Sequence, residues 1–100
     1  MSLVLPPEFQ PLPGSLRQFT IDATVGGVPL PSIPAAAQLA VVSFDMNSAR
    51  YSDDTTSPAV NVGILIPPSE PFSIVGRKAL LAARFFQGGY STTANVTYYG

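Results

Sequence analysis

Apolar and polar residues alternate along several short stretches of the chain, and this alternation predicts β-strands. Between residues 18 and 25 every second residue is apolar and the residues between them are mostly polar. Since successive side chains of a strand point to opposite faces, this segment is expected to form a strand with one face buried. The residues on its apolar face are Phe19, Ile21, Ala23 and Val25. Residues 94 to 99 show the same alternation and predict another strand.

Two neighbouring segments predict a pair of strands joined by a turn. Residues 38 to 46 carry apolar side chains on both faces, which suits a strand covered on both sides. Residues 49 to 52 form a shorter β-rich segment, and the Asp, Asn and Ser residues between positions 45 and 48 are typical of a turn. We therefore expect these two strands to form a hairpin.

Prolines and glycines mark the ends of the next segments. Residues 60 to 66 and residues 72 to 75 are β-rich, and the proline-rich residues 67 to 71 separate them. Residues 28 to 34 contain three prolines, so we expect a polyproline crossing or an edge segment of a sheet there.

Residues 77 to 87 fit two kinds of secondary structure. Residues 78 to 84 are good helix formers and would make a two-turn helix. No capping residue precedes them, however, and apolar residues also occupy alternate positions, which suits a strand. These alternate positions are Ala79, Leu81, Ala83 and Phe85. The segment is predicted as a strand, with a helix as the alternative.

These elements together predict an all-β fold. About seven short strands separated by turn residues are typical of a small antiparallel β-sandwich, here expected to be jelly-roll-like. A chain of 100 residues suffices for one domain. We assign residues 16–100 to the sandwich and residues 1–15 to an extended N-terminal arm, because the four prolines of that segment favour extended backbone.

The apolar residues of the arm predict that it docks on something. A solvated tail is normally polar, so an apolar arm is expected to lie in a groove of its own domain or of a neighbouring subunit. Our hypothesis makes four of its residues intersubunit anchors, namely Leu3, Val4, Leu5 and Phe9.

The composition argues against catalysis. Histidine and cysteine are absent. A serine or threonine nucleophile would therefore lack its usual base, and thiolate chemistry and sulfur-ligated metals are excluded. We expect no enzyme activity, no cofactor, no metal site and no small-molecule substrate.

The distribution of charge restricts the partners. The net charge is −1 and the basic residues are scattered, so no nucleic-acid partner is expected. Residues 23 to 44 are uncharged, but glycines and prolines interrupt them, which excludes a membrane helix. Residues 1 to 10 lack the positive region of a signal peptide. Only 11% of the residues are charged, and such a surface favours association with other chains.

Three polar features have a functional and a structural interpretation. Asp53 and Asp54 would offer oxygen ligands to calcium, but their context favours a solvated turn. Asn95 begins a glycosylation sequon, yet its place on a strand favours a row of polar side chains. Arg84 lies in an apolar run, and we expect it to pair with a carboxylate of its own or a neighbouring subunit.

The tyrosines have two interpretations as well. Together with Phe85 and Phe86 they would form a sugar-binding or base-stacking platform, or they fill the core or an oligomer interface, which is the interpretation we favour. The tyrosines are Tyr51, Tyr90, Tyr98 and Tyr99.

Residues 49 to 63 resemble a pattern found in small virion proteins of tailed phages. In that pattern a strand of the form Arg-aromatic-Ser leads into an Asp-rich turn, then Ser-Pro and a strand of small residues that ends at glycine. Arg50-Tyr51-Ser52, the turn at Asp53-Asp54, Ser57-Pro58 and Gly63 occupy these positions here. The similarity continues through Gly76, residues 80 to 86 and the ending Ala94 to Tyr99, and covers about half of the chain.

This resemblance implies a virion structural protein, and among these it points to a capsid decoration or cement protein. Such a protein is expected to be made in the host cytoplasm, to form a homotrimer on the capsid surface, and to bind the major capsid protein and copies of itself. The alternative is a tail, neck or fibre component, including an adhesin that binds carbohydrate through Tyr90, Tyr98 or Tyr99.

Overall fold

The structure is a computed structural model, and it describes residues 9–100. These residues form eight strands and one short helix. The elements are β1 (Arg17–Ile21), β2 (Val28–Pro29), β3 (Leu39–Phe44), β4 (Ala49–Ser52), β5 (Ile64–Ile66), β6 (Phe72–Val75), α1 (Arg77–Ala82), β7 (Arg84–Gln87) and β8 (Thr92–Tyr99).

The strands form two antiparallel sheets of four strands each. Sheet A has the order β1-β8-β3-β6 and sheet B the order β2-β7-β4-β5. Except for β4 and β5, strands that follow one another in the chain lie in different sheets. This strand order is that of a jelly roll. The prediction of an all-β, jelly-roll-like antiparallel sandwich is therefore confirmed.

The core lies between the two sheets and is rich in aromatic rings. Phe85 of β7 lies at its centre, with ring centroids 5.9 Å from Phe44, 5.3 Å from Tyr51 and 5.9 Å from Phe19. Such tilted and edge-on pairs suit the charge distribution of aromatic rings. The rings tie β1 and β3 of sheet A to β4 and β7 of sheet B, so the core fixes how the sheets stack.

The alternation predicted for the last strand is confirmed. In β8 every second side chain is buried, and these side chains are Thr92, Ala94, Val96 and Tyr98. In β3 the cover on both faces is found only at Leu39 and Ala40, since Val41 and Ser43 are half-buried.

The predicted hairpin of residues 38–52 is wrong. β3 pairs with β6 and β8, whereas β4 pairs with β5 and β7 in the other sheet. The turn between them stays attached to β8, because Asp45 N donates to Thr93 O at 2.9 Å and Asn47 N donates to Thr92 Oγ1 at 3.2 Å. The chain then passes to the other sheet instead of folding back on β3.

The first strand is shorter than its alternation predicted. β1 ends at Ile21, and Val25 is 97% exposed. The Asp22 carboxylate accepts hydrogen bonds from the backbone N–H and the hydroxyl of Thr24, which turns the chain away from the sheet. Gly27 N then donates to Thr24 O at 2.9 Å and closes a tight turn.

The prediction of a strand over residues 77 to 87 is correct only for β7. Residues Arg77–Ala82 form the helix α1, with Leu80 buried and Leu81 exposed. Gly76, at φ +101°, admits the change of direction before the helix, and Leu80 N donates to Gly76 O at 3.1 Å. Ala83 returns to extended backbone at φ −59° and ψ 132°, so the strand starts at Arg84.

Candidate docking surface

The described part of the N-terminal arm pairs with the last strand. Gln10 N donates to Gly100 O at 3.0 Å, and Gly100 N donates to Gln10 O at 2.9 Å. Leu12 N donates to Tyr98 O at 2.9 Å. Residues 10 to 12 therefore lie antiparallel to β8 and lengthen the edge of sheet A beyond the start of β1.

Ser15 fastens this pairing from inside the domain. The Ser15 side chain is buried, and its hydroxyl donates to Tyr98 O at 3.1 Å. Ser15 Oγ also accepts a hydrogen bond from Tyr98 N at 3.2 Å. Leu12 is half-buried and packs against the core. The base of the arm is thus held to its own domain by main-chain and side-chain contacts.

Only one of the four predicted anchors lies among the described residues. Phe9 is half-buried, and Leu3, Val4 and Leu5 lie outside residues 9–100. The anchor role of these side chains stays a prediction.

Among the described residues 9–100, the largest group of exposed apolar side chains that are close in sequence lies on and before β5. We name it the β5 patch, and it consists of Val60, Val62, Ile64 and Leu65. Ala59 and Val62 exchange backbone hydrogen bonds of 3.1 and 3.2 Å, so residues 59 to 62 form a tight turn. The strand predicted over residues 60 to 66 is therefore reduced to Ile64–Ile66.

The position of β5 in the sheet explains its exposure. Within residues 9–100, β5 is the last strand of sheet B and pairs only with β4. Leu65 lies opposite Arg50, which lies opposite Phe86 on the far side of β4, so these three side chains form a row across the outer face of the sheet. Leu65 at the end of this row is 50% exposed.

The β5 patch lies in a segment without charge. Residues 55 to 69 contain no Asp, Glu, Lys or Arg. The nearest cation is Arg50, whose Nη1 donates to Gly63 O at 3.2 Å and whose Nε is buried without a hydrogen-bond partner among residues 9–100. The patch residues themselves are apolar and uncharged, so they would contribute to binding through burial of apolar area and through main-chain pairing.

The two aspartates beside the patch are engaged in their own loop. Tyr51 donates its hydroxyl proton to Asp53 Oδ2 at 2.8 Å. Asp54 Oδ1 accepts from Thr56 N and from Ser52 Oγ, each at 3.0 Å. The hydrogen bonds from Thr56 and then from Ser52 lower the pKa of Asp54, while burial, followed by the bond to Asp53, raises the pKa of Tyr51.

These contacts agree with the turn interpretation of the aspartates. The loop lines an open depression of about 250 Å³ together with Gly63 and Ile64. Both carboxylates are exposed, and among residues 9–100 no three Asp, Glu, His or Cys side chains cluster as metal ligands would.

A polar row crosses the outer face of sheet A, as expected for Asn95. Gln18 Nε2 donates to Asn95 Oδ1 at 3.4 Å, and Asn95 Nδ2 donates to Asp45 Oδ1 at 3.0 Å. This row on sheet A is therefore held by hydrogen bonds between side chains, whereas the row on sheet B sets Arg50 between the apolar Leu65 and Phe86.

The partners of Arg84 differ from the expected carboxylate. Its Nη1 donates to Leu81 O at 3.2 Å and to Ala83 O at 2.7 Å. Arg84 follows the helix directly, so its guanidinium reaches the backbone carbonyls at the helix C-terminus, which attract a cation.

The tyrosines do not share one surface. Tyr51 and Tyr98 are buried, as expected for core residues, Tyr99 is half-buried and Tyr90 is 77% exposed. The Tyr98 hydroxyl donates to Pro31 O, and burial raises the pKa of Tyr98 to about 12 against a smaller opposing effect of Arg17. Tyr98 is therefore not available to a sugar-binding platform.

The edge position of β5 is the feature of the candidate surface that the sequence did not predict. The uninterrupted triplet Ile64-Leu65-Ile66 between a glycine and a proline was the available signal, since it does not alternate. Within residues 9–100 no helix is long and apolar enough to span a membrane. Comparisons of the chain with protein-family models, curated proteins and solved structures find no match.

Proposed function

We propose that the protein is a noncatalytic structural subunit of a phage virion that binds and stabilises the capsid shell as a decoration or cement protein. The observation that carries this proposal is the β5 patch, an uncharged apolar sheet edge on a small domain. Natural edge strands are usually short or protected by charge or proline, and an apolar edge that has only its short length as protection is a candidate contact surface.

The location of the sequence resemblance supports the proposal. The segment that resembles tailed-phage virion proteins, residues 49 to 63, comprises β4, the aspartate loop and the turn that leads into β5. The resemblance therefore falls on the side of the domain that is open for docking. Jelly rolls occur in viral capsid proteins and also in lectins, so the fold alone does not decide between these roles.

The arm supports the same role from the opposite end of the chain. Its base is fastened to β8 through Gln10, Leu12 and Ser15. An apolar segment attached to a fixed base loses less entropy on docking than a free peptide does, and it adds a second contact to that of the domain. In this proposal the major capsid protein and neighbouring copies of the chain receive the arm.

Quantification of the protein in particles tests the proposal. Particles are purified by density gradient from the culture that produces the protein, and its copy number per particle is measured by mass spectrometry. Hundreds of copies support the head shell, and a dozen or fewer support a tail, neck or fibre position instead. Absence from sedimenting particles overturns the virion role. A dozen or fewer copies, together with binding of the isolated domain to a glycan array, support the adhesin.

Rebinding to stripped particles tests the anchor residues. The triple variant Leu3→Ser, Val4→Ser, Leu5→Ser is expected to keep its thermal unfolding midpoint and to lose at least tenfold in particle affinity. The matched control is Leu16→Ser, which removes an exposed apolar side chain directly before β1 and is expected to bind particles normally. Wild-type occupancy by the triple variant contradicts the anchor role.

A further inference from the structure

The four sheet edges of the domain are protected to different degrees. In sheet B, β2 has only two residues and ends at Pro29. In sheet A, β1 carries Arg17 and exposed polar side chains, and β6 is followed at once by Gly76 and the helix. β5 has neither a charge nor a proline among its three residues. Charge, proline and short length are the usual defences of an edge, and only the last of these applies to β5. The edge strand β6 has no charge or proline either, but the helix α1 follows it directly and contacts it.

In the part of the chain that the structure describes, the main chain of β5 has no partner strand on its outer side. Its ladder pairs it with β4, and the other backbone hydrogen bonds nearby close the turn between Ala59 and Val62. Among residues 9–100 no other strand pairs with it. A strand edge of this kind is a template for another strand.

We propose that β5 is a self-association site, at which β5 of a second copy pairs antiparallel across a two-fold axis. The ends of the strand determine the register. Pro67 has no N–H to donate, and Gly63 lies at φ +113°, outside the range of a regular strand. The register that pairs all three residues sets Leu65 opposite Leu65 of the second copy and Ile64 opposite Ile66.

A second copy suits this edge better than a charged partner does. Residues 55 to 69 carry no charge, so the two paired strands themselves do not repel each other, and the guanidinium of Arg50 lies one strand behind Leu65 in each copy. Pairing in this register gives the half-exposed Leu65 and the exposed Ile64 apolar neighbours. Identical patches related by a two-fold axis also form the commonest kind of oligomer interface.

The small size of the site predicts a weak contact. Three paired residues bury much less than the roughly 1,600 Å² of a standard interface. We expect dissociation constants of about 0.1 to 1 mM, which become significant where copies are held side by side. The use of the contact on a particle rests on the proposed function, whereas its existence is tested on the purified protein alone.

A charge-swap pair tests the site and its symmetry. Leu65→Glu and Leu65→Lys are each expected to weaken self-association at least tenfold in sedimentation equilibrium, because like charges then meet on the two-fold axis. An equimolar mixture is expected to restore association through a Glu–Lys pair. The control pair Leu16→Glu and Leu16→Lys, on an exposed leucine outside the β5 patch, is expected to change nothing.

A disulfide test uses the natural lack of cysteine. Residues directly opposite in an antiparallel pair have Cα atoms about 4.5 to 5.5 Å apart, within the range that a disulfide bridges. Leu65→Cys is therefore expected to yield a covalent dimer on oxidation at least ten times faster than Val25→Cys, whose side chain is fully exposed in another loop.

Three results overturn the inference: a wild-type protein that stays monomeric at about 1 mM, a mixture of Leu65 variants that associates no better than either alone, or equal rates for the two cysteine variants. Particle binding by a protein that does not self-associate refutes the β5 contact and leaves the virion role standing. Self-association without particle binding refutes the virion role and leaves the contact standing.

Discussion

The two edges of sheet B differ in how strongly they contact the rest of the domain. At the β2 edge, Leu30 is buried, the carbonyl of Pro31 accepts a hydrogen bond from Tyr98, and the carbonyl of Pro34 accepts one from Arg77. At the β5 edge, Leu65 lies on the outer face of the sheet and is 50% exposed. The residues after β2 therefore contact the rest of the domain, whereas the outer side chains of β5 contribute little to its folding stability.

Because of this difference, substitutions at the β2 edge are expected to change folding stability, and substitutions at the β5 edge are expected to leave it nearly unchanged. Side chains at the β2 edge contact the core, so their loss costs folding free energy. Side chains at the β5 edge face solvent in the single chain, so they change without unfolding the domain. The domain can therefore present an apolar edge to a partner because its folding depends on the other one.

The largest contrast is expected from the same truncation at both edges. Leu30→Ala is expected to lower the free energy of unfolding by about 3 kcal/mol, because it leaves a cavity in the core. Leu65→Ala is expected to cost about 0.5 kcal/mol, because that side chain is half in water already. Urea unfolding followed by circular dichroism measures both. Equal losses would contradict the division of roles between the edges.

A smaller contrast is expected between the two glycines before β2. Gly26 and Gly27 have φ near +87° and +86°, but a Cβ on Gly27 would lie 2.9 Å from Pro58 Cγ and from Arg84 Cβ, whereas a Cβ on Gly26 would meet nothing within 4 Å. Gly26→Ala is expected to cost about 1 kcal/mol for the backbone alone. Gly27→Ala is expected to cost about 2 to 3 kcal/mol, since the steric conflict adds to it.

Thermal unfolding checks the glycine pair. A difference of 1 kcal/mol corresponds to about 4 to 8 °C in a domain of this size. Variants with the same midpoint would show that Pro58 does not pack tightly against the β2 edge.

The sequence predicted those parts of the fold that local chemistry decides. β8 has its inner face against the core and alternates accordingly, so the pattern of Ala94, Val96 and Tyr98 was sufficient. The turn after β3 was also recognised, but its residues do not tell whether the next strand joins the same sheet. The helix α1 was predicted as a strand, because the apolar positions Ala79 and Leu81 fit both a helix and a strand. The backbone conformations of Gly76 and Ala83 set the two ends of the helix.

The docking surface depended on distant contacts and was predicted less well. β5 is an edge strand because of the order β2-β7-β4-β5, and strands far apart in sequence make that order. The pairing of Gln10 and Leu12 with the other end of the chain is equally non-local. An apolar pattern shows that a segment gains free energy when it is buried. Whether the domain itself buries that segment depends on the strand order, which local sequence does not reveal.

The smallest effect is expected from the tyrosine hydroxyls that lie toward each edge. Tyr98 donates to Pro31 O beside β2, and Tyr51 donates to the exposed Asp53 beside β5. Tyr98→Phe is expected to cost about 1 kcal/mol at pH 7, because a carbonyl beside the core loses its donor. Tyr51→Phe is expected to cost less, because water replaces the donor to Asp53.

Alkaline pH is expected to change the stability difference between Tyr98→Phe and the wild type. Burial raises the pKa of Tyr98 to about 12, above the value near 10 of an unfolded tyrosine. The unfolded chain therefore loses this proton first, and the stability that the protonated Tyr98 provides is complete below pH 10 and is lost as the pH rises toward 12. Tyr98→Phe lacks that loss, so its deficit against the wild type is expected to shrink between pH 10 and pH 12 in urea unfolding. A deficit that stays constant over this range would mean that the hydroxyl of Tyr98 is in contact with water and that the segment after β2 is as open as β5.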